Sequence, residues 1–166
     1  EIRITGDDGT ELPVGDVGEI RVRGDNILTR YWNNEAASAE SIVDGWFRTG
    51  DMARLDADGL YWFADRLKHV IISGGENIYP AELERVLADF DGLTEFAIVG
   101  RDDPRWGQVP VVVAARSGPT VTGDAVLAHF EGRIARFKRP KDVVFVEALP
   151  RNALGKVVAA EVRALL

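Results

Sequence analysis

The apolar pattern of the chain changes period once, near residues 65–68, and that change bounds the folds open to it. Upstream, apolar and polar residues alternate. Ile20 and Val22 alternate with Glu19, Arg21 and Arg23, and Ile2 and Ile4 do the same nearer the start. This is the spacing of half-buried strands, whose side chains point to opposite faces in turn. Gly6-Asp7-Asp8-Gly9 reads as a turn, and Asp56-Ala57-Asp58-Gly59 joins residues 49–55 to 60–64 in a second candidate hairpin. No long amphipathic helix interrupts the stretch. Residues 1–65 therefore predict a thin antiparallel β piece at the end of something larger.

Downstream, strands and helices alternate. Residues 70–72 form a short apolar run ended by Ser73-Gly74-Gly75. Pro80 suits the first turn of a helix, where its missing N–H is not needed, and Leu83, Val86, Leu87 and Phe90 follow at helical spacing. Thr122 suits the cap of a second helix whose buried face would be Val126, Leu127, Phe130 and Ile134. Residues 96–99, 109–115 and 143–146 read as strands, and Val158, Val162 and Leu165 make a last helical stripe. The expected fold class is α+β: about three strands and three helices over residues 66–166, preceded by the β piece.

Charge divides the chain at the same place. Residues 1–65 carry fourteen acidic and six basic residues, a net −8, whereas residues 66–166 are at +1. Seven basic residues lie between Arg133 and Lys156, against only Asp142 and Glu147, which gives the second part a local affinity for anions. The overall charge of −7 disfavours nonspecific nucleic-acid binding. There is no cysteine, which removes disulfide, thiolate and Cys-based metal chemistry, and His69 and His129 alone make no metal motif. No apolar run is long enough for a transmembrane helix and residues 1–4 lack a leader pattern, so a cytoplasmic location is expected.

Four segments carry residues that folding alone does not require. Trp46-Phe47-Arg48-Thr49-Gly50-Asp51 is compatible with a simple turn, or with a carboxylate that accepts two vicinal hydroxyls. Asp65-Arg66-Leu67-Lys68 leads into Ile72-Ser73-Gly74-Gly75-Glu76-Asn77, a tight turn or a side-chain-free floor for a thin ligand. Phe137-Lys138-Arg139-Pro140-Lys141 is a basic loop. Pro150-Arg151-Asn152-Ala153-Leu154-Gly155-Lys156 puts a lysine after glycine, but it lacks the spacing and the following Ser/Thr of a phosphate-binding loop.

In this order the four segments resemble the C-terminal part of the adenylate-forming superfamily of AMP-dependent synthetases and ligases, and the resemblance covers essentially the whole chain. It implies roles residue by residue. Asp51 matches a ribose-binding aspartate and Arg66 an arginine contacting nucleotide; both are nucleotide-binding. Lys68 matches the hinge about which a small C-terminal domain swings. Lys156 matches the catalytic lysine of adenylation. Gly74 and Gly75 match a pair lining the pantetheine tunnel, and Trp106, Phe137, Lys138 and Arg139 fall where some relatives contact CoA.

The resemblance further implies the end of a large N-terminal domain at residues 1–65 and a small mobile domain at 66–166. The implied enzyme is an AMP-forming acid–CoA ligase (acyl-CoA synthetase) that uses a carboxylic acid, ATP and CoA. Mg²⁺ would bind outside this chain, which contributes no metal ligand. A homo-oligomer, if one forms, would use the missing N-terminal domain, and the isolated fragment would be inactive. The string Ile71-Ile72-Ser73-Gly74-Gly75-Glu76-Asn77 is closer to fatty-acyl and aryl CoA ligases than to peptide-synthetase domains. Two other readings stay open: an adenylating enzyme that loads a carrier protein, and a non-catalytic nucleotide- or CoA-binding module.

Overall fold

Ile2–Thr5 (β1) and Val17–Val22 (β2) pair antiparallel with Ile4 opposite Ile20, as their alternation requires. The computed structural model describes residues 1–166 and divides into two units, Glu1–Lys68 and His69–Leu166. In the first, a short helix, Glu35–Ser41 (α1), is capped by the Asn34 side chain, which accepts from the Ala37 N–H at 3.0 Å, and buries no residue. Ile42–Val43 (β3) turns through Asp44-Gly45 into Trp46–Leu55 (β4). Both turn residues have positive φ, 51° and 77°, which suits a two-residue hairpin of inverted twist. Tyr61–Arg66 (β5) completes a five-stranded antiparallel sheet in the order β1-β2-β4-β3, with β5 also on β4.

Strand β2 departs from its alternation. The pattern puts Glu19 and Arg21 outward, yet they are 5% and 6% exposed. The reason is position: β2 lies between β1 and β4, and Arg48 of β4 reaches across to Glu19. A buried carboxylate that is paired escapes most of the penalty an isolated one would meet.

The second unit is built on Leu93–Asp103 (β8) and Gly107–Arg116 (β9), paired antiparallel along nearly their whole length. Asp142–Phe145 (β10) lies parallel to β9. Ile71–Ser73 (β6) and Glu76–Ile78 (β7) form a small hairpin that joins the sheet where Ser73 meets Gly107. Five strands therefore stand where about three were expected. The extra pair is too short for alternation to show in sequence.

Helix Pro80–Leu87 (α2) has its proline in the first turn and buries Leu83 and Leu87. Gly123–His129 (α3) begins where the Thr122 hydroxyl accepts from the Ala125 N–H at 3.3 Å. Both pack on one face of the sheet, with Val126 and Phe130 against Ile71, Ile98, Val112 and Ala114. Ala97, Val99 and Val113 alternate onto the opposite face, where Leu149, from the segment after β10, and Val162, from the last helix Ala159–Arg163 (α4), cover them. A sheet covered on both faces explains why β9 reads as a continuous apolar run. No helix is long and apolar enough to cross a membrane.

Candidate functional sites in the two units

The Thr49-Gly50-Asp51 segment is a bulge inside β4, not a turn at its start. Glu19 pairs with Met52 and Arg21 with Arg48, so the three residues stand opposite Ile20 alone. The extra length bends the strand, and Gly50 takes φ 69°, where a side chain would be strained. Two clamps hold the shape. The Thr49 hydroxyl donates to the Ile20 carbonyl at 2.8 Å and accepts from the Asp51 N–H at 3.1 Å. The buried Glu19 carboxylate accepts from the Gly50 N–H at 3.2 Å and from Arg48 Nε at 2.9 Å.

Asp51 is thereby set opposite Arg66 of β5, and Arg66 Nε lies 2.9 Å from its Oδ1. Arg66 also donates to the Thr49 carbonyl at 3.4 Å. Both side chains remain partly exposed, 30% for Asp51 and 52% for Arg66. A fixed carboxylate of this kind can accept from hydroxyl groups, while the adjacent guanidinium can donate to anionic oxygens. Lys68 is exposed in the single 3₁₀ turn Leu67–His69, and the first unit ends at it.

In the second unit, Gly74 and Gly75 are the two central residues of the β6–β7 hairpin, with φ 62° and 87°. The Gly74 N–H donates to the Trp106 carbonyl at 2.8 Å, and the Trp106 ring lies so close that a Cβ on Gly74 would stand 2.8 Å from Cε3. The structure thus brings Gly74 and Trp106 together, whereas Gly75 faces open space. The indole is 45% exposed, with the Arg105 guanidinium 4.8 Å from its centroid.

Of the basic loop, Phe137 is 47% exposed and no ring contact joins it to Trp106. Lys138 is already engaged: its Nζ donates to both oxygens of Glu82 in α2, at 2.7 and 3.0 Å. Arg139 lies 3.7 Å from Glu131.

Lys156 sits in a small closed ring. Arg151 and Val157 form a bridge, the Asn152 N–H donates to the Lys156 carbonyl at 2.9 Å, and Gly155 turns the chain with φ 77°. Asn152 Oδ1 accepts from both the Leu154 and Lys156 N–H groups at 3.0 Å, and Arg151 Nη1 donates to the Gly155 carbonyl at 2.8 Å. Glu95 of β8 ties the ring to the sheet by accepting from Arg151 and from the Leu149 N–H. The Arg151 guanidinium and then the Leu149 N–H hold the Glu95 carboxyl below the usual carboxylate range. The Lys156 side chain is exposed and takes part in no ion pair. No group of three or more His, Asp or Glu converges where it could hold a metal ion.

Sequence reasoning missed the supporting residues. The Asn152-x-x-Gly155 spacing carried a readable turn signal. Glu19 carried none, because its local pattern pointed outward.

Residues 82–156 match the family described as AMP-binding enzyme C-terminal domain. Across 99% of its length the chain is 53% identical to an indoleacetate–CoA ligase of Aromatoleum aromaticum, covering 32% of that protein. It is 45% identical to a feruloyl-CoA synthase of an Amycolatopsis species over 98% of the chain and 33% of the relative. Among solved structures, o-succinylbenzoate CoA synthetase from Bacillus subtilis in complex with its acyl-adenylate intermediate matches with a TM-score of 0.90 at 37% identity, over 98% of this chain and 33% of that one. The same enzyme in complex with ATP and magnesium matches at 0.88 and 36% identity, over 98% of this chain and 34% of that one. The chain thus spans about a third of the length of the relatives it matches.

Proposed function

We propose that this chain, whose residues 82–156 match the AMP-binding enzyme C-terminal domain family and which is similar along its length to CoA ligases of the adenylate-forming superfamily, is the C-terminal portion of an AMP-forming acid–CoA ligase. In that reading, residues 1–65 end a large N-terminal domain and residues 66–166 form a small mobile one. The observation that carries the reading is the unpaired, exposed ammonium of Lys156 on a hydrogen-bonded ring.

In the first step a carboxylate oxygen attacks the α-phosphorus of ATP and pyrophosphate leaves. Both partners are anionic, so a fixed cation must offset their repulsion and the charge developing at phosphorus. Lys156 supplies that cation as a compact point charge. Asp51 takes the ribose hydroxyls, and Arg66 contacts the nucleotide. In the second step the thiol of CoA attacks the acyl carbonyl, loses its proton, and AMP leaves. Lys156 must then withdraw, and rotation about Lys68 would bring the face of Gly74 and Gly75 in its place as a gating motion.

Trp106, Phe137 and Arg139 are assigned to CoA. Lys138 could serve there only by leaving Glu82. Mg²⁺ would supply charge neutralisation at the phosphates from outside this chain. The acid itself is not selected by any residue here, and the 166 residues alone are expected to be inactive. A cytoplasmic location fits substrates of this class.

The test uses the full-length ligase. Lys156→Ala should abolish acyl-adenylate formation, a loss on the order of 10²–10³, and leave thioester formation from supplied acyl-adenylate largely intact. Equal loss of both half-reactions would refute the assignment. Lys68→Pro, which restricts φ, should spare adenylation and block thioester formation; survival of both steps would remove Lys68 as the pivot. Turnover with a pantetheinylated protein but not with free CoA would favour the carrier-loading alternative.

A further inference from the structure

We infer that Glu19 is a positioning residue for the nucleotide carboxylate Asp51, an inference that rests on the ribose-binding reading of Asp51 given above. Glu19 is buried in β2, at a position where the alternating pattern of the strand would put a polar residue outward. What the carboxylate touches is the bulge. Its Oε1 takes the Gly50 N–H at 3.2 Å, and its Oε2 takes Arg48 Nε at 2.9 Å and lies 3.6 Å from Arg21 Nε.

Gly50 and Arg48 flank Thr49, whose hydroxyl accepts from the Asp51 N–H. Glu19 therefore pins the residue immediately before Asp51, and Thr49 pins the Asp51 backbone itself. With three residues opposite one, the bulge loses its regular ladder to β2, and on the other side only Asp51 is in register, opposite Arg66 of β5. A buried charge-assisted acceptor replaces that ladder. Arg66 approaches Asp51 from the other side, so a bulge that relaxed would change both the direction of the carboxylate and its distance from the guanidinium.

A merely structural role for Glu19 would lower stability and leave ribose recognition unchanged. A positioning role lowers the preference of the protein for a nucleotide carrying both ribose hydroxyls. The measurement is equilibrium binding of AMP and of 2′-deoxyAMP by calorimetry on the full-length ligase, which needs no knowledge of the acid. Asp51→Asn serves as the reference variant and should reduce the preference for AMP by about tenfold, the size of one hydrogen bond to a charged acceptor.

Glu19→Ala should reduce it comparably. Because that variant leaves Arg21 buried without its partner, a second variant, Glu19→Met with Arg21→Met, removes the pair together and keeps volume. It should reduce the preference to the same extent. If Asp51→Asn lowers the preference but the Glu19→Met/Arg21→Met protein keeps that of the wild type, the positioning inference fails and the reading of Asp51 stands. If neither the wild type nor Asp51→Asn distinguishes AMP from 2′-deoxyAMP, the reading of Asp51 fails and the inference with it.

Discussion

Gly74 and Gly75 offer a controlled comparison, because they are adjacent, share a left-handed backbone and differ in what a methyl group would meet. At Gly75 the added Cβ enters open space; at Gly74 it stands 2.8 Å from Trp106 Cε3 and 3.1 Å from Cζ3. Alanine at either site carries the left-handed penalty, about 1–2 kcal/mol. Only Gly74→Ala must also move an aromatic ring. Overpacking of that kind costs roughly 1–3 kcal/mol where nothing can yield. The indole is 45% exposed and can swing outward, which favours the lower part of that range.

Gly75→Ala should therefore lose about 1–2 kcal/mol, and Gly74→Ala about 1 kcal/mol more. Urea denaturation of the 166-residue chain reads the stability, and the Trp106 indole N–H resonance reports the ring directly. That resonance should shift in Gly74→Ala and stay in place in Gly75→Ala. Equal losses in the two variants, or an unmoved Trp106 resonance in Gly74→Ala, would refute the steric coupling between the glycine turn and the indole.

Phe130 is fully buried between α3 and the sheet, so Phe130→Ala should cost about 3–5 kcal/mol in the second unit, visible as a fall in its urea midpoint. Asn152→Ala removes the acceptor of two backbone N–H groups in the lysine ring; amide exchange at Leu154 and Lys156 should accelerate about tenfold, while core amides are unchanged. Slowed or accelerated exchange throughout the sheet would show that the ring is not a local unit. Glu95 has a folded pKa below its ordinary value of about 4.3, so its bonds to Arg151 and Leu149 contribute stability above that pH and lose it as pH falls through the folded value. Exchange protection at Leu149 should accordingly drop as pH falls through the lowered folded-state pKa of Glu95, and Glu95→Gln should flatten that dependence.

Local features were legible in the chain because their causes are local. Pro80 in the first turn, the Thr122 cap and the stripe through Leu83 and Leu87 each act within a few residues, and each stands in the structure where it was expected. The lysine after Gly155 and the Thr49-Gly50-Asp51 string stood out in the chain as candidate sites. Their geometry was not legible, since a bulge exists only relative to the strand opposite, and Ile20 lies nearly thirty residues away.

Sequence by itself determined the α+β class, the change of character near residue 65 and the residue types at the candidate sites. Tertiary structure alone decided which charges are spent on the fold. Glu19 and Arg21 are buried because β4 supplies Arg48, and Lys138 is held because α2 supplies Glu82. Lys156 stays free because its ring satisfies its backbone and Arg151, not the lysine, takes Glu95. Burial of a charge depends on partners brought from distant strands and helices, and no periodicity in the charge's own segment contains that information.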